Sequence, residues 1–323
     1  MNANHVASPP RGRREHLVHL PAEPPPVASP PRGRRRSNWV TAILHWPRAS
    51  TSTAGVDIRR RPRGADATPS SARSANQDPT PDAVKQANRR LYDQVAGNYE
   101  DIDGRRDGEL SDWIRSRLAA LAASHGSDVL LDLGSGSGVV ARAAEGLFRR
   151  RIAMDLSPRI LASAGPMAEH RVAADTDALP LADGSINVIS CFAVLHHLAE
   201  TTMLAKEVAR VLAPGGAFWS DHDMDSAFHR RFRWPLACYR RLRGSQRKYQ
   251  EAGVDADTYA AAECHEDGVD GRAVLEQMRL AGLDAAADFH WFGLTPLTNR
   301  LFGRGERSRS WAPLLRIVAV KPS

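Results

Sequence analysis

The chain has little of what would mark it as secreted, disulfide-stapled or membrane-spanning. Its three cysteines, Cys191, Cys238 and Cys264, are odd in number, scattered and without CxxC spacing. That pattern fits neither a disulfide framework nor a cysteine zinc site and points to a reducing compartment. No apolar run approaches the roughly 18 residues that a membrane-spanning helix needs. No basic region followed by an apolar stretch and a cleavage site opens the chain, so the expected localisation is cytoplasmic. Lysine is missing altogether from the first 80 residues, which carry 13 arginines against 5 acidic residues. The remaining 31 basic and 32 acidic residues nearly cancel. The net charge of +7 therefore belongs to the first segment, and the rest of the chain lacks the basic bias of a nucleic-acid binder.

What is present in residues 1–80 is proline, arginine, serine and alanine, with VASPPRGRR occurring twice, at Val6 to Arg14 and at Val27 to Arg35. Such a segment cannot bury enough apolar surface to offset its chain entropy, and a disordered tail is expected. From Pro81 the texture changes. PDAVKQANRRLYDQV has a Pro-Asp start and apolar positions at helical spacing, and GELSDWIRSRLAALAA predicts a second helix with Leu110, Trp113, Ile114, Leu118 and Leu121 on one side. Strands and helices then alternate through DVLLDLG, RRIAMDLS, a short strand near Val172, INVISCFAV, a turn at APGG, AFWSDHD, ADFHWFG and LLRIVAV. Alternation of this kind predicts an α/β fold, a doubly wound, mostly parallel sheet of seven strands in one domain over 81–323.

VLLDLGSGSG places an apolar strand directly before Gly134, Gly136 and Gly138. Glycines there let the chain turn sharply and bring backbone amides close to a ligand at a helix N-terminus. The spacing is GxGxG rather than the dinucleotide GxGxxG, which suits a compact adenosyl ligand better than a pyrophosphate. The next strand ends in Asp155, where a carboxylate accepts hydrogen bonds from ribose hydroxyls, a feature shared with NAD enzymes.

With these come AADTDALPLADGSINVI, AVLHHL and RVLAPGGAF, in order, and RRLYDQVAGNYE ahead of them. Over about Arg89 to Asp223 the set resembles the class I methyltransferases that depend on S-adenosylmethionine (SAM), in particular the type 11 group that includes the ubiquinone and menaquinone biosynthesis enzymes. The resemblance implies a Rossmann-like fold, SAM as cofactor and methyl transfer to a small-molecule or lipid-like acceptor, at oxygen or carbon. It also implies that Asp132, Gly134, Ser135, Gly136 and Gly138 hold the methionine end and Asp155 with Leu156 the ribose. Asp175 and Thr176 would meet the adenine edge, and Tyr92 and Tyr99 would cover the cofactor.

Methyl transfer from a sulfonium needs alignment and exclusion of water more than a universal catalytic group. An acceptor hydroxyl or acidic carbon gains from a base, for which histidine suits neutral pH. His196 and His197 follow the fourth strand, and Asp221, His222 and Asp223 follow the fifth, both at the ligand-binding edge of such a sheet. His222, Asp221 and His197 are the candidate catalytic residues. His290 is expected in the core or at the surface. No second ligand cluster matches Asp221 to Asp223 along the chain, and no metal is expected.

Residues of about 224–268 form an insertion too long for an ordinary connection. From Phe228 to Gln250 it holds eight arginines or lysines and no acid, interleaved with Phe228, Phe232, Trp234, Tyr239 and Tyr249. Such a segment suits an acceptor-covering element with peripheral contact to an anionic membrane, or a helix that packs its aromatics and solvates its arginines. SCFAVLHH lacks the Asn-Pro-Pro arrangement of enzymes that methylate base amines, which ranks RNA or protein acceptors, and a SAM binder without catalysis, as alternatives.

Overall fold

The computed structural model describes residues 80–103, 108–243, 245–292, 300–303 and 305–323. The expected disordered tail lies outside these residues, except for Thr80. That residue caps the first helix, α1 (Pro81–Val95), by accepting a hydrogen bond from the Ala83 amide at 3.3 Å. Pro81 occupies the first turn, where its missing N–H costs nothing. Helix α1 buries Val84, Ala87, Leu91 and Val95, a stripe at helical spacing. A short helix α2 (Tyr99–Asp103) and the long helix α3 (Gly108–His125) follow.

Thereafter the elements run β1 (Val129–Leu133), α4 (Val139–Ala143), β2 (Arg150–Asp155), α5 (Pro158–Ser163), β3 (His170–Ala173) and β4 (Ile186–Phe192). A 3-10 turn (Leu195–His197), α6 (Thr202–Val211) and β5 (Leu212–Met224) come next. Helices α7 (Ser226–Arg243), α8 (Ser245–Glu251), α9 (Ala256–Ala262) and α10 (Gly271–Leu280) precede β6 (Asp284–His290), β7 (Glu306–Arg307) and β8 (Leu314–Val320). The sheet order is β3-β2-β1-β4-β5-β8-β6-β7. β1 pairs in parallel with β2 and β4, β2 with β3, and β4 with β5, while β8 runs antiparallel between β5 and β6. Eight strands replace the seven expected, because Glu306 and Arg307 add a short edge against Phe289 and His290.

Successive strand residues feed opposite faces, as a pleated strand requires. Leu131, Ile189, Phe218 and Ile317 pack with Leu204 and Val208 of α6 and Val274 and Met278 of α10. Their neighbours Leu130, Val188, Trp219 and Val318 pack with Leu110, Ile114 and Leu118 of α3 and Val140 of α4. The expected turn at APGG lies inside β5. Pairing jumps from Ile186 with Leu212 to Val188 with Ala217, so residues 213–216 bulge out of an otherwise continuous strand.

The insertion is built of three helices, α7 to α9. Helix α7 kinks at Phe232 (φ −112°, ψ 25°) just ahead of Pro235, whose ring removes a helix hydrogen bond and clashes with the preceding turn. The two ends of the insertion meet in a bridge between Asp225 and Val269. Asp225 is fully buried and accepts from the Ala227 amide at 2.9 Å and from Nε and Nη2 of Arg309 at 3.0 and 2.9 Å. Arg309 also donates to Asp270 at 2.9 Å, so this ion pair clamps both ends of the insertion to the segment before β8. Asp225→Ala leaves a partly buried guanidinium with Asp270 alone and is expected to cost about 3 kcal/mol, read as a lower urea midpoint with an unchanged denaturant slope.

Candidate functional site

The turn after β1 is built for close approach. Gly134 sits at φ +63°, and a Cβ there would lie 2.4 Å from Cγ2 of Val194, so the position excludes any side chain. At Gly136 (φ +52°) a Cβ would meet only Cε1 of Tyr99, at 3.8 Å, and the Gly134 carbonyl at 4.0 Å. The loop therefore leaves open space above Gly136, bounded by an aromatic ring. The hydroxyls of Ser135 and Ser137 are buried and have no hydrogen-bond partner, and both residues line the same cavity. Buried hydroxyls left unpaired are costly unless a ligand meets them.

Asp155 closes the far side of that space. Its Oδ2 accepts from the Gly136 amide at 2.9 Å and its Oδ1 from the Ser157 amide at 2.9 Å. Each carboxylate oxygen keeps a second lone pair, so a pair of vicinal hydroxyls has acceptors there. Asp175 and Thr176 also line the cavity, and Lys85 of α1 reaches Asp175 at 2.8 Å and Asp177 at 2.5 Å. Asp132 and Gly138 do not line it. Asp132 lies behind the turn, accepts from the Ser190 hydroxyl at 2.8 Å, and burial pushes its carboxyl up to about 7. Its Oδ1 joins β1 to β4, while its Oδ2 is buried with no hydrogen-bond partner. Gly138 is the left-handed cap of α4, at φ +83°.

Helix α1 supplies more of the site than its sequence suggested. Lys85, Asn88, Tyr92 and, beyond the helix, Tyr99 all line the cavity. The first three fall three and four residues apart, a polar stripe beside the buried apolar one. That periodicity was the available signal. Asn88 donates to the carbonyl of His197 at 3.1 Å, and the hydroxyl of Tyr92 lies 2.7 Å from Nε2 of His197. Nδ1 of His197 lies 3.0 Å from the Ala262 carbonyl. The carbonyl only accepts, so Nδ1 carries the proton and Tyr92 donates to Nε2. His197 thus braces α1 against the end of α9, with both ring nitrogens engaged. Burial and the neighbouring His196 push its imidazole down to about 4, which keeps it neutral at physiological pH.

His196 packs on His197 and turns its Nδ1 to Asp223 at 2.7 Å, with Glu263 3.7 Å from its Nε2. Asp223 is buried and also accepts from the His196 amide at 3.1 Å. The pairing of β5 with β8 slips between Ser220 and Asp223, and in this second bulge His222 takes the left-handed conformation, φ +69°. A non-glycine residue held there costs about 1–3 kcal/mol and persists only where its surroundings enforce it. The enforcing group is Asp221. Its Oδ1 accepts from the His222 amide at 2.6 Å and meets Nδ1 of His222 at 2.9 Å and Nε2 of His290 at 2.8 Å. Burial alone would raise the Asp221 carboxyl, but His290 and His222 hold it well below the usual carboxylate range. His222 lines the cavity between Phe192 and Phe292, with ring centroids 4.3 and 5.3 Å away.

His290 is buried, as expected, yet it belongs to this cluster. The fold brings together groups that spacing along the chain does not show: ligand-type atoms of Asp221, His222 and His290 fall within 4.8 Å of one another, as do those of His196, His197 and Glu263. Proximity in the fold, not spacing along the chain, reveals them.

One cavity of about 920 Å³ joins these parts. From the glycine turn and Asp155 it runs past His196 and His197 to His222 and an apolar wall that includes Leu110, Met224, Leu236 and Leu314. The insertion roofs it. Tyr249, Val254 and Ala262 pack on Ala87, Leu91 and Val95 of α1, and Tyr239, Arg240, Arg241 and Lys248 face in.

Residues 131–220 match the family model described as a methyltransferase domain. Over 134 residues the chain is 29% identical to malonyl-(acyl-carrier protein) O-methyltransferase of Serratia marcescens, covering 41% of this chain and 51% of that protein. Over 133 residues it is 26% identical to the ubiquinone/menaquinone biosynthesis C-methyltransferase of Rubrivivax gelatinosus, covering 40% and 53%. The chain thus spans about half the length of these curated relatives. A SAM-dependent methyltransferase from Thermotoga maritima, described as a possible histamine N-methyltransferase, shares the fold with a TM-score of 0.50 at 15% identity, covering 72% of this chain and 99% of that one. Over residues 131–220 the chain is thus similar to methyltransferase domains, and it shares their fold.

Two outcomes follow for the bracing histidine. Tyr92→Phe leaves the buried Nε2 of His197 without its donor and is expected to cost about 1–2 kcal/mol. Because the folded imidazole binds its proton less tightly than the unfolded one, native stability falls as pH drops from about 6.5 toward 4. Urea titrations at pH 7.5 and 5 should show the loss, and His197→Asn should reduce it.

Proposed function

We propose that this chain transfers the methyl group of SAM to a small-molecule or lipid-like acceptor, with SAM in the glycine-turn end of the cavity and the acceptor under α7–α9. The observation that carries the reading is the continuity of that cavity, from a cradle of buried, unpartnered serine hydroxyls and a ribose-competent carboxylate to an apolar wall with one histidine. Bound SAM supplies a sulfonium methyl, an electrophile that asks for alignment and dryness rather than activation. Ser135, Gly136 and Ser137 would hold its methionine end, and Asp155 its ribose. Asp175 and Thr176 would meet the adenine, and Tyr92 and Tyr99 would cover it. His222, oriented by Asp221, is the residue placed to take a proton from the acceptor. His197 would shape the site, since its nitrogens are already committed.

An apolar wall with a basic roof suits an acceptor having an apolar body and a polar or anionic end. Both relatives named above act, by their names, at oxygen or carbon of carrier-bound or quinone-related molecules, which supports that class. The surface adds support for membrane contact: Trp234 on α7 is 72% exposed, and the Arg231 guanidinium lies 3.8 Å over the ring of exposed Trp311. No helix among the described residues is long and apolar enough to cross a membrane. We place the protein in the cytoplasm on the same reading.

The test incubates the full chain with methyl-labelled SAM and cell extract, then follows label into organic-soluble, small aqueous, protein and nucleic-acid fractions. Label in the organic or small aqueous fraction is expected. Label in nucleic acid or protein contradicts the acceptor class, and SAM binding without transfer contradicts the enzyme. Asp155→Ala and Gly136→Val should each weaken SAM binding at least tenfold by calorimetry, the first by removing an acceptor and the second by filling the cradle.

A further inference from the structure

The cluster around Asp221 contains one group that the proposed reaction leaves unused. His290 ends β6, is 2% exposed, and lies outside the cavity lining, yet its Nε2 shares the same Asp221 oxygen as His222. Trp113 of α3 stacks on its ring at 5.5 Å and an interplanar angle of 27°, which fixes its plane. The charges around it are few and assigned. Arg316 of β8 is committed to Asp288 of β6 and Glu306 of β7, at 2.8 and 2.7 Å. Its charge is also felt by Asp221, but no arginine or lysine pairs directly with that buried carboxylate among the described residues. A fully buried carboxylate without a cation partner tends to take up a proton, as burial favours at Asp132, and is kept ionised by a cation at its oxygen; the two groups at the Asp221 oxygen are histidines.

We propose that His290 is a positioning residue, a buried imidazolium whose ion pair keeps Asp221 ionised, so that Asp221 holds His222 as the Nδ1–H tautomer with Nε2 as its basic nitrogen. The inference rests on the reading of His222 as the acceptor-side base, but its chemistry is confined to three side chains. Nε2–H of His290 donates to Oδ1 of Asp221. The same oxygen accepts from the amide and from Nδ1–H of His222, and that pair of bonds enforces the left-handed backbone at φ +69°. With Nδ1 carrying the proton, the lone pair lies on Nε2, the opposite side of the ring from the carboxylate. The positive charge at His290 offsets Asp221, so the carboxylate orients His222 without drawing a second proton onto it. Two histidines on one carboxylate therefore hold different states, one charged and one neutral. Burial opposes a charged His290, and the nearby Arg316 opposes it further, but Asp221 overrides both and raises its proton affinity, with Asp288 adding to the same side.

The test needs no acceptor. In the full chain with labelled histidine rings, nitrogen NMR should find His290 doubly protonated from pH 6 to 8 and His222 in its Nδ1–H tautomer, each assigned by substitution. His290→Gln keeps a donor to Asp221 but removes the charge. The midpoint for protonating His222 should then rise by about one pH unit, a tenfold gain in proton affinity. A neutral His290 at pH 7 overturns the proposal, and so does an unmoved His222 midpoint in a folded His290→Gln. A stoichiometric metal ion retained by His222 and His290 in the purified protein, seen by mass spectrometry, overturns it too, since both rings would then be neutral ligands. If His290→Gln does not fold, the state of His290 in the unsubstituted chain decides. Unchanged transfer by His222→Ala would refute the base reading alone and leave the ring states measurable.

Discussion

Each parallel strand of this sheet must be followed by a crossover to the far end, and that constraint sets the carboxyl ends of β1, β2, β4 and β5 side by side. Polar groups at those ends have no ladder left to satisfy them. They satisfy one another or meet a ligand. Asp155 reaches back to the turn after β1, Asp223 reaches across to the turn after β4, and Asp221 is met by His290 from β6. The site is where the sheet runs out of backbone partners.

The helices respond to the same edge. α1 lays a polar stripe along the cavity while its apolar stripe packs against α9, and the 3-10 turn after β4 is held by Asn88, Tyr92 and His265 through its backbone and His197 ring. The insertion, clamped at its base by Asp225 and Arg309, joins this assembly through α9. Roof and floor are one hydrogen-bonded structure, the kind of enclosure that the proposed methyl transfer would need to keep out water.

Much of this was legible along the chain, because local patterns carried it. The apolar runs located the strands of the parallel half and β6 and β8, and GxGxG with the following Asp155 located the cradle, since a βα turn is a local event. What stayed hidden was non-local. The pairs of Lys85 with Asp175 and Asp177, and of His290 with Asp221, span 90 or more and 69 residues, and only the strand order brings them together. The two bulges in β5 were hidden as well, because they are set by pairing register. The second of them turns His222 into the cavity, which an alternating strand could not promise. The contact of Asp132 with Ser190 was hidden for the related reason that it spans 58 residues and two strands.

The central claim is that one cavity holds SAM at the glycine turn and an acceptor before His222. The most direct measurement is a crystal structure of the chain grown with S-adenosylhomocysteine. The account predicts both ribose hydroxyls on the Asp155 carboxylate, the amino-acid end among Ser135, Gly136 and Ser137, and the sulfur turned toward the part of the cavity that His222 lines. A ligand bound elsewhere, or one whose sulfur faces away from His222, would contradict it.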